Sequence, residues 1–371
     1  MVGAGTHTAA FAWPTSVPLV QAPMAGGASG PALAAAVCDA GALGFLAAGY
    51  KTADAMTAEI AELRALTRKP FGVNLFMPGT TAPAALAALP AYRDRLAADA
   101  DRLGVALGEV PPHGGTDDWD AKLAALLADP VPIPVVSFTF GCPAPADLAA
   151  LRAAGTRTAV TVTTAREAEL AAAAGPDLLV VQGGEAGAHQ GRWDNDDNDN
   201  NHDKDDSARK EPYGLRTLLA LVRAATDLPC IAAGGLMTGR QVADVLAAGA
   251  VAAQLGTAFL RCPESGAAPA HKAALADPGF TETRLTRAFS GRPARGLVNR
   301  FLAAHDPYAP AAYPEVHYAT APLRRAAAAA GEPGAMALWA GEGWREAREE
   351  PAADVVRRIA AALPGQHGRP A

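Results

Sequence analysis

His189 is the residue most clearly placed to do chemistry. It lies in Gln182-Gly183-Gly184-Glu185-Ala186-Gly187-Ala188-His189-Gln190-Gly191, which follows the apolar run Leu178–Gln182 without a break. Glycines permit sharp backbone turns, and a histidine among them is poised to move a proton or hold an anion. Two later segments share that glycine-rich character. Ala233-Gly234-Gly235-Leu236-Met237-Thr238 follows the run Pro229–Ala233, and Gly256-Thr257 follows Val251–Leu255, which carries Gln254 and Leu255 at its end. Exposed backbone N–H groups leading into a helix N-terminus suit a phosphate dianion. Nearer the N-terminus, Asn74 interrupts the apolar run Phe71–Leu75. A buried amide has to be hydrogen-bonded, either to a ligand or to neighbouring backbone. Ala22-Pro23-Met24-Ala25-Gly26-Gly27 offers small residues past which a flat ligand can approach the backbone.

These segments all sit at the ends of short apolar runs. The runs are Pro18–Ala22, Leu43–Ala47, Phe71–Leu75, Pro134–Phe138, Thr158–Val162, Leu178–Gln182, Pro229–Ala233 and Val251–Leu255. Their unalternating apolar character suits strands of a parallel sheet buried on both faces. Helical patterns lie between them, among them Gly30–Ala40 stopped by Gly41, Thr163–Ala174 stopped by Gly175, and Thr238–Ala248 stopped by Gly249. Alternating strands and helices predict an α/β fold, a (β/α)8 TIM barrel, with its reactive groups at the C-terminal strand ends. A doubly wound open sheet would ordinarily carry a glycine fingerprint, and Gly3-Ala4-Gly5 lacks the third glycine and precedes no strand. The expected organisation is a barrel over 1–264, a smaller, mostly helical cap over 265–340, and a segment 341–371 that returns to the barrel.

Composition narrows the alternatives. Half of the 371 residues are hydrophobic and 19% are charged, which excludes a disordered or fibrous chain. No apolar stretch is long enough for a membrane helix, and the N-terminus does not read as a signal peptide. The net charge of −6 is carried by the tract 194–206, and the remainder is neutral. Nucleic-acid binding is therefore not expected. The tract reads as a solvated loop rather than a calcium site, because Asp199 stands where an EF-hand needs glycine. Four widely spaced cysteines form no metal motif, and a reducing cytoplasm is the expected setting for a monomer or homodimer. The Arg-rich stretch 281–300 reads either as an attractor of anions, or as solvated surface or packing between domains. The cap histidines are weaker candidates than His189, and one of His305 and His317 is given a route to the substrate, whereas Tyr308, Tyr313 and Tyr318 read as packing residues.

Taken from the residues alone, the site is a barrel mouth for a phosphate-bearing planar cofactor, with one histidine beside it. FMN is the natural candidate, with Asn74 and Gln182 facing ring heteroatoms and Gly234, Gly235, Gly256 and Thr257 facing the phosphate. A phosphorylated sugar is the rival, but the strand ends carry neither the lysine nor the carboxylate pair that such chemistry usually needs.

The segments Gln21-Ala22-Pro23-Met24, Gly72-Val73-Asn74-Leu75, Gln182 to His189, Ala232 to Leu236 and Gln254 to Thr257 together resemble the nitronate monooxygenase family, formerly called 2-nitropropane dioxygenases. The resemblance runs from about residue 15 to 300. It implies FMN at Asn74, Gln182, Gly187, Gly235, Gln254, Leu255, Gly256 and Thr257, with Pro23 and Met24 beside the flavin ring. It makes His189 the active-site histidine. The implied reaction is oxidation of an alkyl nitronate, such as propionate 3-nitronate, by O₂ to a carbonyl compound and nitrite. His189 would either hold the anion or act as a base on a neutral nitroalkane. Ala188 departs from the family's usual glycine, and the acidic tract is an insertion. An FMN-dependent NAD(P)H reductase of quinones or enoyl-carrier-protein substrates is the alternative in the same superfamily.

Overall fold

The structure is a computed structural model that describes residues 13–111, 115–195 and 212–363. Eight parallel strands form its centre: β1 (Leu19–Gln21), β2 (Gly44–Ala47), β3 (Phe71–Phe76), β4 (Val135–Thr139), β5 (Arg157–Val162), β6 (Leu178–Gln182), and, beyond the short β7 (Ala188–His189), β8 (Cys230–Ala233) and β9 (Ala252–Leu255). The order is β1-β9-β8-β6-β5-β4-β3-β2, and a parallel bridge between Val20 and Leu43 closes the ring. The eight expected strands are the eight observed, within a residue or two at each end.

Strand parity explains how the barrel is filled. Along β6, Leu178 and Val180 belong to the cluster inside the barrel, whereas Leu179 and Val181 belong to the layer between strands and helices. Side chains alternate across a strand, so the residue after Val181 again points inward. The same count places Asn74, Ser137, Thr139, Thr161, Gln182, Ala233 and Gln254 in a ring at the C-terminal mouth. Phe45 fills the axis below them. A Cβ on Gly72 would lie 2.3 Å from its ring, so only glycine fits there.

Helices surround the strands, and glycine and threonine set several of their ends. The helix Gly239–Ala247 opens with a reciprocal capping box between Thr238 and Gln241. The helix Ala165–Ala174 stops at Gly175, whose φ of 86° is left-handed. The final helix, Ala352–Ala360, buries Val355, Val356 and Ile359 and packs against the helices Pro31–Asp39 and Gly239–Ala247.

The cap differs from the helical expectation in one respect. Residues 283–297 form a hairpin of β10 (Thr283–Thr286) and β11 (Ala294–Leu297), and β11 pairs antiparallel with β7. The four arginines of this stretch and Pro293 mask the strand pattern in the sequence. The cap has its own hydrophobic cluster, which includes Phe289, Leu297, Phe301, Val316 and Leu323. That cluster also takes Tyr92 and Leu96 from the helix Pro83–Leu103, which belongs to the long crossover after β3.

Candidate active site

A cavity of about 480 Å³ lies between the barrel mouth and the cap. All the residues expected to hold FMN, together with His189, line it: Pro23, Met24, Asn74, Gln182, Gly187, His189, Gly234, Gly235, Gln254, Leu255, Gly256 and Thr257. Among the described residues no aspartate or glutamate does.

On the floor, the loops after β8 and β9 present unspent backbone donors. The N–H groups of Gly234, Gly235, Gly256 and Thr257 make no hydrogen bond to the described residues. Four such donors on neighbouring loops of one cavity fit an oxyanion such as a phosphate. Gly234 and Gly235 adopt φ of 126° and 66°, values that favour glycine. The loop after β1 is held from below. Gln21 is fully buried, accepts Phe45 N–H at 3.0 Å and donates to Ser29 Oγ at 2.8 Å, while Ser29 Oγ accepts Met24 N–H at 2.8 Å. Gln21 thus positions Pro23 and Met24 without reaching the cavity itself.

The mouth amides are engaged to different degrees. Asn74 Nδ2 donates to Ser137 Oγ at 2.9 Å and Thr139 Oγ1 at 3.0 Å, which leaves Oδ1 open as an acceptor. Gln182 is tied into its own loop: Nε2 donates to His189 O at 3.1 Å and Oε1 accepts Gly191 N–H at 2.6 Å. Glu185 points away and accepts Leu215 N–H at a helix N-terminus.

His189 is clipped in place by β7. Its Nε2 lies 2.8 Å from Ser290 Oγ, and its ring is edge-on to Phe140 and Tyr313. Burial, reinforced by the Arg292 and Arg324 guanidinium groups, pushes its pKa down to about 3. His189 is therefore neutral at physiological pH. Three non-glycine residues of the lining hold left-handed backbone: Tyr50 (φ 66°), Phe140 (77°) and Ala188 (59°). Such strain concentrates where surrounding structure enforces a functional geometry.

The roof was largely missed. His317, Arg324, Arg325, His271, Ser290 and Trp339 line the cavity, and all come from the cap side. His317 reaches it, as one of two expected candidates; His305 does not, being paired with Asp99 at 2.7 Å. His271 gives a ring N–H to Trp339 O at 3.0 Å, and burial pushes it down to about 4. Tyr50 is stacked on His317 at 3.7 Å and accepts a hydrogen bond from Tyr313 at 3.1 Å. The available signal was the helical stripe His317, Ala321, Arg324, Ala328, one face of a single helix. Of the arginines in 281–300, Arg284, Arg295 and Arg300 are paired with carboxylates. Arg292 is buried over the Phe140 ring. The acidic tract falls outside the described residues from 196 to its end; Asn195 donates to Gly291 O and Ala311 O, each at 2.9 Å. Among the described residues no cluster suits a metal and no helix is long and apolar enough to cross a membrane.

A closed parallel barrel with a cavity between its C-terminal mouth and a cap defines a protein of the (β/α)8 class. The profile of the family described as nitronate monooxygenase matches residues 9–361, and the chain belongs to that family. A nitronate monooxygenase of Pseudomonas aeruginosa is 42% identical over 361 residues, covering 94% of this chain and 96% of that one. One from Paraburkholderia phytofirmans is 40% identical, covering 92% and 91%. Among solved structures, a nitroalkane oxidase from Streptomyces ansochromogenes superposes with a TM-score of 0.88 at 56% identity, covering 95% and 97%. FabK (M276A) from Thermotoga maritima gives 0.67 at 25%, covering 94% and 92%.

Proposed function

We propose that this chain oxidises preformed nitronates with O₂, using FMN, to a carbonyl compound and nitrite. The observation that carries the reading is the floor. Four open backbone donors at Gly234, Gly235, Gly256 and Thr257 would take the phosphate. Pro23 and Met24 would flank the ring, and the open Oδ1 of Asn74 and the side chain of Gln254 would meet its polar edge. The chemistry a bound flavin supplies is acceptance of the substrate's electrons and their delivery to O₂.

The protein's part is to bind and orient an anion. Two arginines and three histidines line the cavity, and among the described residues no carboxylate lines it with them. Protonating His189 beside Arg292 and Arg324 is unfavourable, so it is a weak base. That favours the already deprotonated nitronate over the neutral nitroalkane and makes His189 a neutral hydrogen-bonding group. All four cysteines are free, which supports a reducing compartment such as the cytoplasm.

Two measurements test the proposal. Mass spectrometry of heat-released ligand should show FMN; FAD would overturn the cofactor. Anaerobic mixing should bleach the flavin with ethyl nitronate and leave it oxidised with NADPH. The reverse pattern would establish the reductase instead.

A further inference from the structure

We propose that His317 and Arg324 form a second anion subsite in the roof of the cavity, in which the Nε2–H of His317 and the open Nη1 of Arg324 receive a planar oxyanion group. The proposal rests on the nitronate reading for its substrate but not for its binding test.

The argument starts from proton inventory. Arginine carries only donors. Arg324 Nη2 lies 3.2 Å from His317 Nδ1 and 2.9 Å from His317 O, and so donates one proton to each. Arg324 Nε donates to Thr320 Oγ1 at 3.2 Å. Thr320 Oγ1 is itself anchored on Phe289 O at 2.5 Å. Because His317 Nδ1 is held as an acceptor, the ring proton of the neutral imidazole sits on Nε2. His317 Nε2 and Arg324 Nη1 make no hydrogen bond among the described residues, and both residues line the cavity. Neither residue has a carboxylate partner there.

The scaffold is rigid. His317, Ala321 and Arg324 share one face of the helix Glu315–Ala329, and the small side chain of Ala321 leaves room between the two polar ones. Tyr50 covers the His317 ring from the other side, with ring planes 9° apart. Tyr50 is in turn held by its backbone N–H on Asp117 Oδ1 at 2.8 Å, and Asp117 by the buried Lys122 at 2.8 Å. Two fixed donor groups on one wall of a cavity that no described carboxylate lines match two oxygens on one atom. That group is either the nitronate itself or a carboxylate borne elsewhere on the same substrate.

Nitrate, a planar anion that cannot be oxidised, serves as the probe, titrated calorimetrically into the holoenzyme. His317→Phe keeps the stack on Tyr50 and removes the donor; its nitrate Kd should rise at least about tenfold, while His317→Gln should stay within about threefold of wild type. Nitrate binding unchanged in His317→Phe, or absent from the wild type, would overturn the subsite. Nitrogen-15 shifts of the wild-type imidazole supply an arm that needs no variant: a proton found on Nδ1 would also overturn it. Should the chain turn over no nitronate, the nitrate result still decides. Steady-state KM values then separate the two sources. A rise for both ethyl nitronate and propionate 3-nitronate assigns the nitronate group, and a rise for the second alone assigns the carboxylate.

Discussion

The floor and the roof of the cavity are built by opposite means. The floor is backbone: glycine loops after β8 and β9 that offer N–H groups and need no particular side chain. The roof is side chains: His189, His271, His317, Arg324 and Trp339, brought from separate elements and locked by stacking and hydrogen bonds. A backbone site depends on φ angles and close approach. A side-chain site depends on protonation and rotamer. The two halves should therefore fail in different ways.

The sharpest break is on the floor. Gly235→Val forces a β-branched residue into φ 66° and sets a Cβ 2.9 Å from Glu185 Cβ. Strain and overpacking of about 3 kcal/mol or more should weaken flavin retention by about 100-fold or more. Flavin absorbance after gel filtration measures it, alongside circular dichroism to show that the barrel persists. Retention of a full flavin complement would mean that the loop is not a cradle.

The roof should break with pH instead. An unfolded histidine titrates near 6.5, whereas His189 lies near about 3 and His271 near about 4. Between these values the unfolded chain binds more protons, so stability rises with pH across the window and is lost on acidification below 6.5. Each such histidine contributes up to about 1.4 kcal/mol per pH unit, and His317 shifts in the same direction. Urea midpoints measured from pH 7 to 5 should fall steeply, and His271→Gln should flatten the slope.

At the level of activity, His189→Asn should keep its flavin and lose about 10- to 100-fold in kcat/KM for ethyl nitronate. This is the worth of one hydrogen bond to an anion, about 1.5–3 kcal/mol. A loss several orders larger would show that His189 transfers a proton.

The smallest effect is expected at Ala188, whose φ of 59° costs strain that glycine would relieve. Ala188→Gly should stabilise by no more than about 1 kcal/mol, because the added chain entropy offsets most of the gain. A thermal melt would detect it.

This division also explains what was legible in the sequence. The eight strands and the floor were, because apolar runs and the glycines that follow them are local patterns. Gly234, Gly235, Gly256 and Thr257 announce themselves within a few residues of their strands. Ser137, Thr139 and Thr161 needed one further step, counting parity along the strand. Of the roof, His189 was legible from its glycine-rich loop and His317 only as one of two cap histidines, and the rest was not. Tyr50 and His317 are far apart in sequence and meet only through tertiary packing, and the tie between Arg324 and His317 is hidden within an Ala-rich helix. The hairpin of β10 and β11 was obscured by Arg284, Arg287, Arg292 and Arg295, which look like surface charge until their partners are known.

The pairing of β11 with β7 has a consequence for engineering by recombination. Ala294 is opposite His189, and Gln190 N–H donates to Pro293 O at 2.8 Å, so the cap supplies half of the ladder on which the barrel's histidine is mounted. Crossovers that exchange the cap between homologues would leave that ladder with one native rung-holder and one foreign one. A functional chimera has to inherit 188–190 and 293–295 from the same parent, even though a hundred residues of chain separate them.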